Sequence, residues 1–151
     1  LADLALSVSL GLPQCRKAFW SIVGTRWAKT ETSAPCTNAD AHRNGVRETG
    51  EDFNGNGRLD PGPADVLVRL VNPRTLADGT AVVEVTYAKN FASWVDAWVT
   101  VSASGVSGTE GRATFVLAPV PVESGAVTNI ATPPALVTSP YGSATTCSNP
   151  N

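Results

Sequence analysis

A chain of 151 residues with 42% apolar and only 16% charged side chains is long enough for one domain with a real hydrophobic core, which excludes a disordered or solvating acidic tail. A net charge of −2 with scattered Arg and Lys offers no basic face to nucleic acid, and no apolar run approaches the roughly 18 residues that span a bilayer. The chain opens on Leu1 without a Met or a secretory apolar region, so it reads as a mature or trimmed piece of a longer product.

Period-two alternation starts almost at once. In "LALSVSL" (4–10), Leu4, Leu6, Val8 and Leu10 face one way while Ala5, Ser7 and Ser9 face the other. The same pattern predicts strands over 17–23 ("KAFWSIV"), 65–71 ("DVLVRLV"), 80–87 ("TAVVEVTY"), 94–103 ("WVDAWVTVSA") and 112–118 ("RATFVLA"). In the fifth strand Val95, Ala97, Val99, Val101 and Ala103 form the inward stripe, which sends Trp94, Asp96, Trp98, Thr100 and Ser102 outward. Asn72-Pro73, Asp78-Gly79 and Ser107-Gly108 supply turn chemistry between strands. No stretch carries a capped 3.6-residue period. Six half-buried strands predict an antiparallel β-sandwich in a single domain spanning residues 1–151.

Two stretches break the alternation: residues 28–64, rich in acids and Asn, and residues 119–151, rich in Pro, Ser, Thr and Ala, which read as an extended tail. A structureless loop that long within a compact domain needs something to order it. Within it, "GEDFNGNGRLDPG" (50–62) concentrates side-chain oxygen and glycine. A calcium loop places side-chain oxygens at positions 1, 3, 5, 9 and 12, glycine at 6 and a main-chain carbonyl at 7, because a hard cation takes six to eight oxygens. Counting from Asp52 gives Asn54, Asn56, Gly57, Arg58 and Asp60 at positions 3, 5, 6, 7 and 9, with Pro63 in place of the closing acid. Counting from Asp40 gives His42, Asn44, Gly45, Val46, Glu48 and Glu51 at positions 3, 5, 6, 7, 9 and 12. A neutral imidazole suits a hard cation poorly, which leaves Asn38 or water to stand in for His42. The competing reading is a pair of solvated Asn/Gly turns, and without flanking helices neither loop is an EF-hand.

Three cysteines, Cys15, Cys36 and Cys147, with no CxxC, exclude a disulfide-framework miniprotein and give no zinc or thioredoxin signature. They leave open three reduced thiols or one bonded pair with one left over.

Cys36, the run "NADAHRNGVRETGEDFNGNGRLDPG", the block "DGTAVVEVTYAKNFASWVDAWVTVSASGVSGTE" and the late "SPYGSATTC" together resemble a bacterial immunoglobulin-like family related to invasin-type repeats, found in large secreted or surface proteins of Gram-negative bacteria. The resemblance covers the chain from about Cys36 onward. It implies an immunoglobulin-like sandwich at the cell surface or outside the cell, calcium ligands at Asp40, Asn44, Glu51, Asp52, Asn54, Asn56 and Asp60, and a Cys36–Cys147 disulfide. The sequence departs from the family pattern at Ala39 and His42, and Cys15 is additional.

Catalytic signatures are missing. His42 is the one histidine, "SGVSG" (104–108) lacks nucleophile-elbow spacing, and there is no phosphate-binding or dinucleotide fingerprint. Two functions from different classes follow. One is a non-enzymatic structural or adhesive module, even a filament subunit, rigidified by calcium and a disulfide, whose partners are other copies or neighbouring Ig-like domains. The other is a carbohydrate-binding accessory module that meets glycans or a host surface through Trp94 and Trp98, provided that the tail or a neighbour does not cover them. Six strands also leave a sheet one strand short, so residues 119–138 are expected either to be donated to a neighbouring copy or to fold back on their own chain.

Overall fold

In the computed structural model, which describes residues 2–103, 108, 110–118, 130–134 and 136–151, all six predicted strands are present. The described chain is all-β with antiparallel sheets, and its one helical turn is a short 3-10 segment, Lys89–Phe91. The strands are β1 (Leu6–Cys15), β2 (Ala18–Val23), β3 (Arg26–Glu31), β4 (Cys36–Thr37), β5 (Val66–Leu70), β6 (Val83–Tyr87), β7 (Val95–Ala103) and β8 (Gly111–Val116). They form a four-stranded sheet ordered β4-β1-β7-β8 and two ribbons, β2-β3 and β5-β6.

β1 runs past its predicted end through Gly11, Leu12 and Pro13 to Cys15. The pairing with β7 slips between Gly11 and Gln14, and a bulge there accommodates Pro13, which has no N–H to give the ladder. Pro13 still accepts a bond, from the Asn38 N–H at 2.9 Å. Beyond the bulge β1 also pairs with β4, with Cys15 opposite Cys36.

β3 runs into the stretch from residue 28 expected to lack strands, and β4 lies wholly within it. The two-residue turn Gly24-Thr25, with Gly24 at φ +63°, folds β3 back on β2. The sequence reading missed β3 because the hairpin is only half-buried on both faces, so "RWAKTE" carries no clean alternation.

The core lies where β1, β7 and β5 meet, around Leu12, Val66, Val95, Ala97 and Leu117. Of the predicted inward stripe, Val95, Ala97 and Val99 are buried, while Val101 and Ala103 are half-buried. Val85 and Tyr87 of β6 pack against this core. A cleft of about 510 Å³, lined by Val83, Val85, Val99, Val101 and Phe115, separates the β5-β6 ribbon from β7 and β8. The arrangement is sandwich-like.

The tail from Val137 onward folds back on its own chain. Trp20 N–H donates to the Val137 carbonyl at 2.7 Å, Ser139 N–H to Ala18 at 3.0 Å, and Ala18 N–H to Gly142 at 3.2 Å. It thus lines the edge of β2 that β3 leaves open. Residues 119–129, most of the segment considered for donation, lie outside the described residues.

Candidate metal centre

Between β4 and β5 the chain makes two successive turns with one backbone plan. Asp40 accepts the N–H groups of Asn44 at 3.1 Å and Gly45 at 2.8 Å. Asp52, twelve residues on, accepts those of Asn56 at 2.9 Å and Gly57 at 2.8 Å. Position 4 is left-handed in both, at Arg43 (φ +57°) and Gly55 (φ +70°), and so is position 6, at Gly45 (φ +74°) and Gly57 (φ +82°). Position 5 closes each turn: Asn44 Oδ1 accepts Val46 N–H at 2.8 Å, and Asn56 Oδ1 accepts Arg58 N–H at 2.9 Å. Glycine at position 6 is required because that conformation strains residues with a Cβ.

Asn38 anchors the pair of turns to the sheet. Its Nδ2 donates to the Leu12 carbonyl, its Oδ1 accepts Asp40 N–H, both at 2.7 Å, and Ala39 N–H donates to the Asp60 carbonyl at 3.0 Å. Asn38 is therefore a brace between the turns and the sheet.

The structure brings some of the predicted ligands together in each turn, while Asp40 and Asn44 bond main-chain N–H groups. In the second turn Asp60 Oδ2 accepts Asn56 Nδ2 at 2.5 Å and Asn54 Nδ2 at 3.5 Å, while Asp52 pairs with Arg47 at 3.0 Å. In the first, His42 Nδ1 lies 2.7 Å from Glu48 and 3.2 Å from Glu51, and the three ligand atoms all fall within 4.8 Å of one another. His42 thus turns toward the carboxylates. The N–H groups of Glu48 and His42 hold Glu51 below the ordinary carboxylate value. For Asp52 partial burial opposes ionisation, but the Gly57 N–H, Arg47 and the Asn56 N–H outweigh it, and its value also lies low.

The donor set is mostly oxygen, as a hard cation requires, but His42 among the carboxylates and the Arg47–Asp52 ion pair depart from such a site. Asp40 and Asp60 are buried carboxylates (4% and 7% exposed) with no ion-pair partner among the described residues, although buried charges are ordinarily paired. No described donor bonds the Val46 or Arg58 carbonyl, the position-7 groups. The amides of Asn54 and Asn56, however, present nitrogen to Asp60. A half-turn of each would put oxygen beside that carboxylate but would forfeit the bonds that Asn54 Oδ1 and Asn56 Oδ1 accept from the Asn56 and Arg58 N–H groups.

The tryptophans do not form an exposed strip. Trp94 is 1% exposed, contrary to its predicted outward position. It precedes the first residue of β7, and the preceding Ser93, at φ +74°, takes it off the strand's pleat. Its ring packs edge-to-face on Trp20 with centroids 6.3 Å apart. Trp98 stays half-buried on the rim of a cleft of about 420 Å³ beside Asn38, Asp40 and Arg43, and the Arg112 guanidinium lies over its ring at 4.7 Å.

Cys36 and Cys147 are disulfide-bonded with Cα atoms 5.5 Å apart, and Cys15 is a buried free thiol. Sequence reasoning missed Lys17. It sits buried, and its Nζ donates to the main-chain carbonyls of Tyr141 at 2.6 Å, Asn149 at 2.7 Å and Asn151 at 3.2 Å. No signal marked it, because a lysine inside an alternating run reads as solvent-facing. No protein-family model, curated protein or solved structure matches the chain.

Proposed function

We propose that this chain is a non-enzymatic, extracellular structural or adhesive module of a Gram-negative bacterium, an immunoglobulin-like domain that calcium and a disulfide hold rigid. The observation that carries the reading is the twelve-residue repeat of one turn geometry at Asp40 and Asp52, which matches in sequence spacing the positions a calcium loop uses. Asp52, Asn54, Asn56, Asp60 and the Arg58 carbonyl would hold one ion; Asp40, Asn44, Glu48, Glu51 and the Val46 carbonyl would hold a second. The all-β antiparallel architecture is compatible with an immunoglobulin-like sandwich, and the Cys36–Cys147 disulfide suits an oxidising compartment. Among the described residues no helix is long and apolar enough to cross a membrane. Other copies of the chain, or neighbouring domains of the same kind, are its natural partners. The carbohydrate-binding alternative loses ground, because Trp94 is buried and Arg112 lies over Trp98.

Calcium titration tests the reading. Binding to the folded state alone adds RT ln(1 + [Ca]/Kd), about 2.7 kcal/mol at a hundredfold excess over Kd. The melting temperature is expected to rise with calcium and fall back with chelator, and Asn54→Ala and Asn56→Ala are expected to weaken the effect more than His42→Ala. A melting temperature indifferent to both additions would sink the metal half of the proposal. Light scattering addresses assembly: a species that stays at 15.6 kDa at high concentration excludes a self-assembling filament subunit.

A further inference from the structure

Cys15 stands directly opposite Cys36 in the β1–β4 pairing, and Cys36 is the half-cystine bonded to Cys147. Opposed residues of an antiparallel pair send their side chains to one face with Cα atoms about 4.5–5.5 Å apart. That separation falls inside the roughly 4.4–6.8 Å a disulfide spans. Cys36 therefore has two cysteine neighbours: one bonded to it from 111 residues away, and one free on the adjacent strand. We propose that the three cysteines form an intramolecular exchange device, in which Cys15 displaces Cys147 from Cys36 and unties Cys147 from β4.

The chemistry balances without an oxidant or a reductant. Cys15 loses its thiol proton, and its sulfur attacks Cys36 Sγ. The Cys15–Cys36 bond forms as the Cys36–Cys147 bond breaks, and the electron pair leaves on Cys147 Sγ, which takes a proton from solvent. One disulfide and one thiol stand on each side. Before exchange, the tail is tied to β4. After it, β1 is stapled to β4, and Cys147, already partly exposed, becomes a free thiol open to another chain's disulfide.

The fold itself restrains the exchange. The attacking species is the thiolate, and burial first, then Asp60, pushes the Cys15 thiol up to about 12, with Asp65 adding to the rise and Lys17 opposing it. Only two residue pairs, Gln14–Thr37 and Cys15–Cys36, join β4 to β1. Asn38 extends this junction, donating its N–H and Nδ2 to the Pro13 and Leu12 carbonyls, and so keeps Cys36 beside Cys15.

Peptide mapping tests the device. Trypsin, cutting after Arg16, Lys29, Arg43 and Arg112, places Cys15, Cys36 and Cys147 on separate fragments, 1–16, 30–43 and 113–151. The native protein is held in graded sub-denaturing urea without external thiol, quenched with acid, blocked with N-ethylmaleimide and digested. The expected result is a 1–16/30–43 link with the label on Cys147, near zero without urea and growing with it at a rate independent of protein concentration. Cys147→Ser refolded with oxidised glutathione is expected to form the same link, and Cys15→Ser is expected to keep only the 30–43/113–151 link. Label that remains on Cys15 at every urea concentration overturns the proposal, as does a Cys147→Ser chain whose Cys15 and Cys36 stay unlinked.

Discussion

Trp98 crosses β1 over Gly11 so closely that a methyl group there would stand 1.9 Å from the indole Nε1. The glycine is required by this approach, since its φ is not in the left-handed region. Gly11→Ala is expected to displace Trp98 and cost about 1–3 kcal/mol, the range for an overpacked site; a urea melt measures it, and a fluorescence shift reports the displaced indole. Acid acts on other single residues. Glu51 and Asp52 titrate below their ordinary values of 4.5 and 3.8 in the fold, so the unfolded chain binds more protons there. Their contribution is complete above the unfolded values and drains as pH falls through the folded ones. Asp65 works in the opposite sense: burial raises its value, and its Oδ2 accepts Tyr141 O–H at 3.0 Å. Urea midpoints are expected to fall below about pH 4, and more steeply in Asp65→Asn, which removes the opposing proton uptake. At this scale the two Asp/Asn/Gly turns were legible because their hydrogen bonds are local. The brace at Asn38 and the Lys17 cage were not, because their partners lie on Leu12 and Tyr141, far off in sequence.

Among the elements, alternation marked every strand with one dry face and failed where a tertiary partner reset the pattern. β1 continues through Pro13 because a bulge absorbs it, and β3 exists because Gly24 turns the chain back onto β2. Trp94 was misplaced for a related reason: pleat parity was extended one residue beyond the strand, into a turn that overrides it. The tail docks on β2 through main-chain bonds that composition does not announce, and Lys17 secures it by donating to three carbonyls at once. Lys17→Met leaves the buried Tyr141 carbonyl without that donor, and a buried unpaired group costs about 1–3 kcal/mol. Hydrogen exchange should show faster loss at the Ala18 amide, which bonds Gly142. Unchanged protection there would mean that the disulfide alone fixes the segment.

For the whole molecule, the Cys36–Cys147 bond and the Lys17 cage bring the last residues against the start of the acidic turns. The bond closes a loop of 111 residues, for which chain-entropy estimates run near 4–5 kcal/mol and engineered examples usually deliver less. Reduction by dithiothreitol is expected to lower the urea midpoint accordingly, with the larger drop in chelator if calcium and the disulfide order the same segment. The all-β class could be read from period-two alternation alone. The way the ribbons pack on the sheet could not, because it depends on contacts between β1, β5 and β7 that no local pattern encodes.

The same cross-link decides how the module carries tension. A pull applied across residues 1 and 151 passes from Cys36 to Cys147 through sulfur and bypasses the 110 residues between them. Only residues 1–36 and 147–151 can then lengthen, to about 140 Å at roughly 3.5 Å per residue, against about 530 Å for an uncrosslinked chain. Both acidic turns and strands β5 to β8 lie in the shielded portion, so stretching can peel β1 and the β2-β3 hairpin from the sheet while the turns stay connected. Single-molecule pulling should show a short oxidised contour that grows by roughly 390 Å once dithiothreitol is added. An oxidised chain that already extends to full length would place the turns in the path of the force.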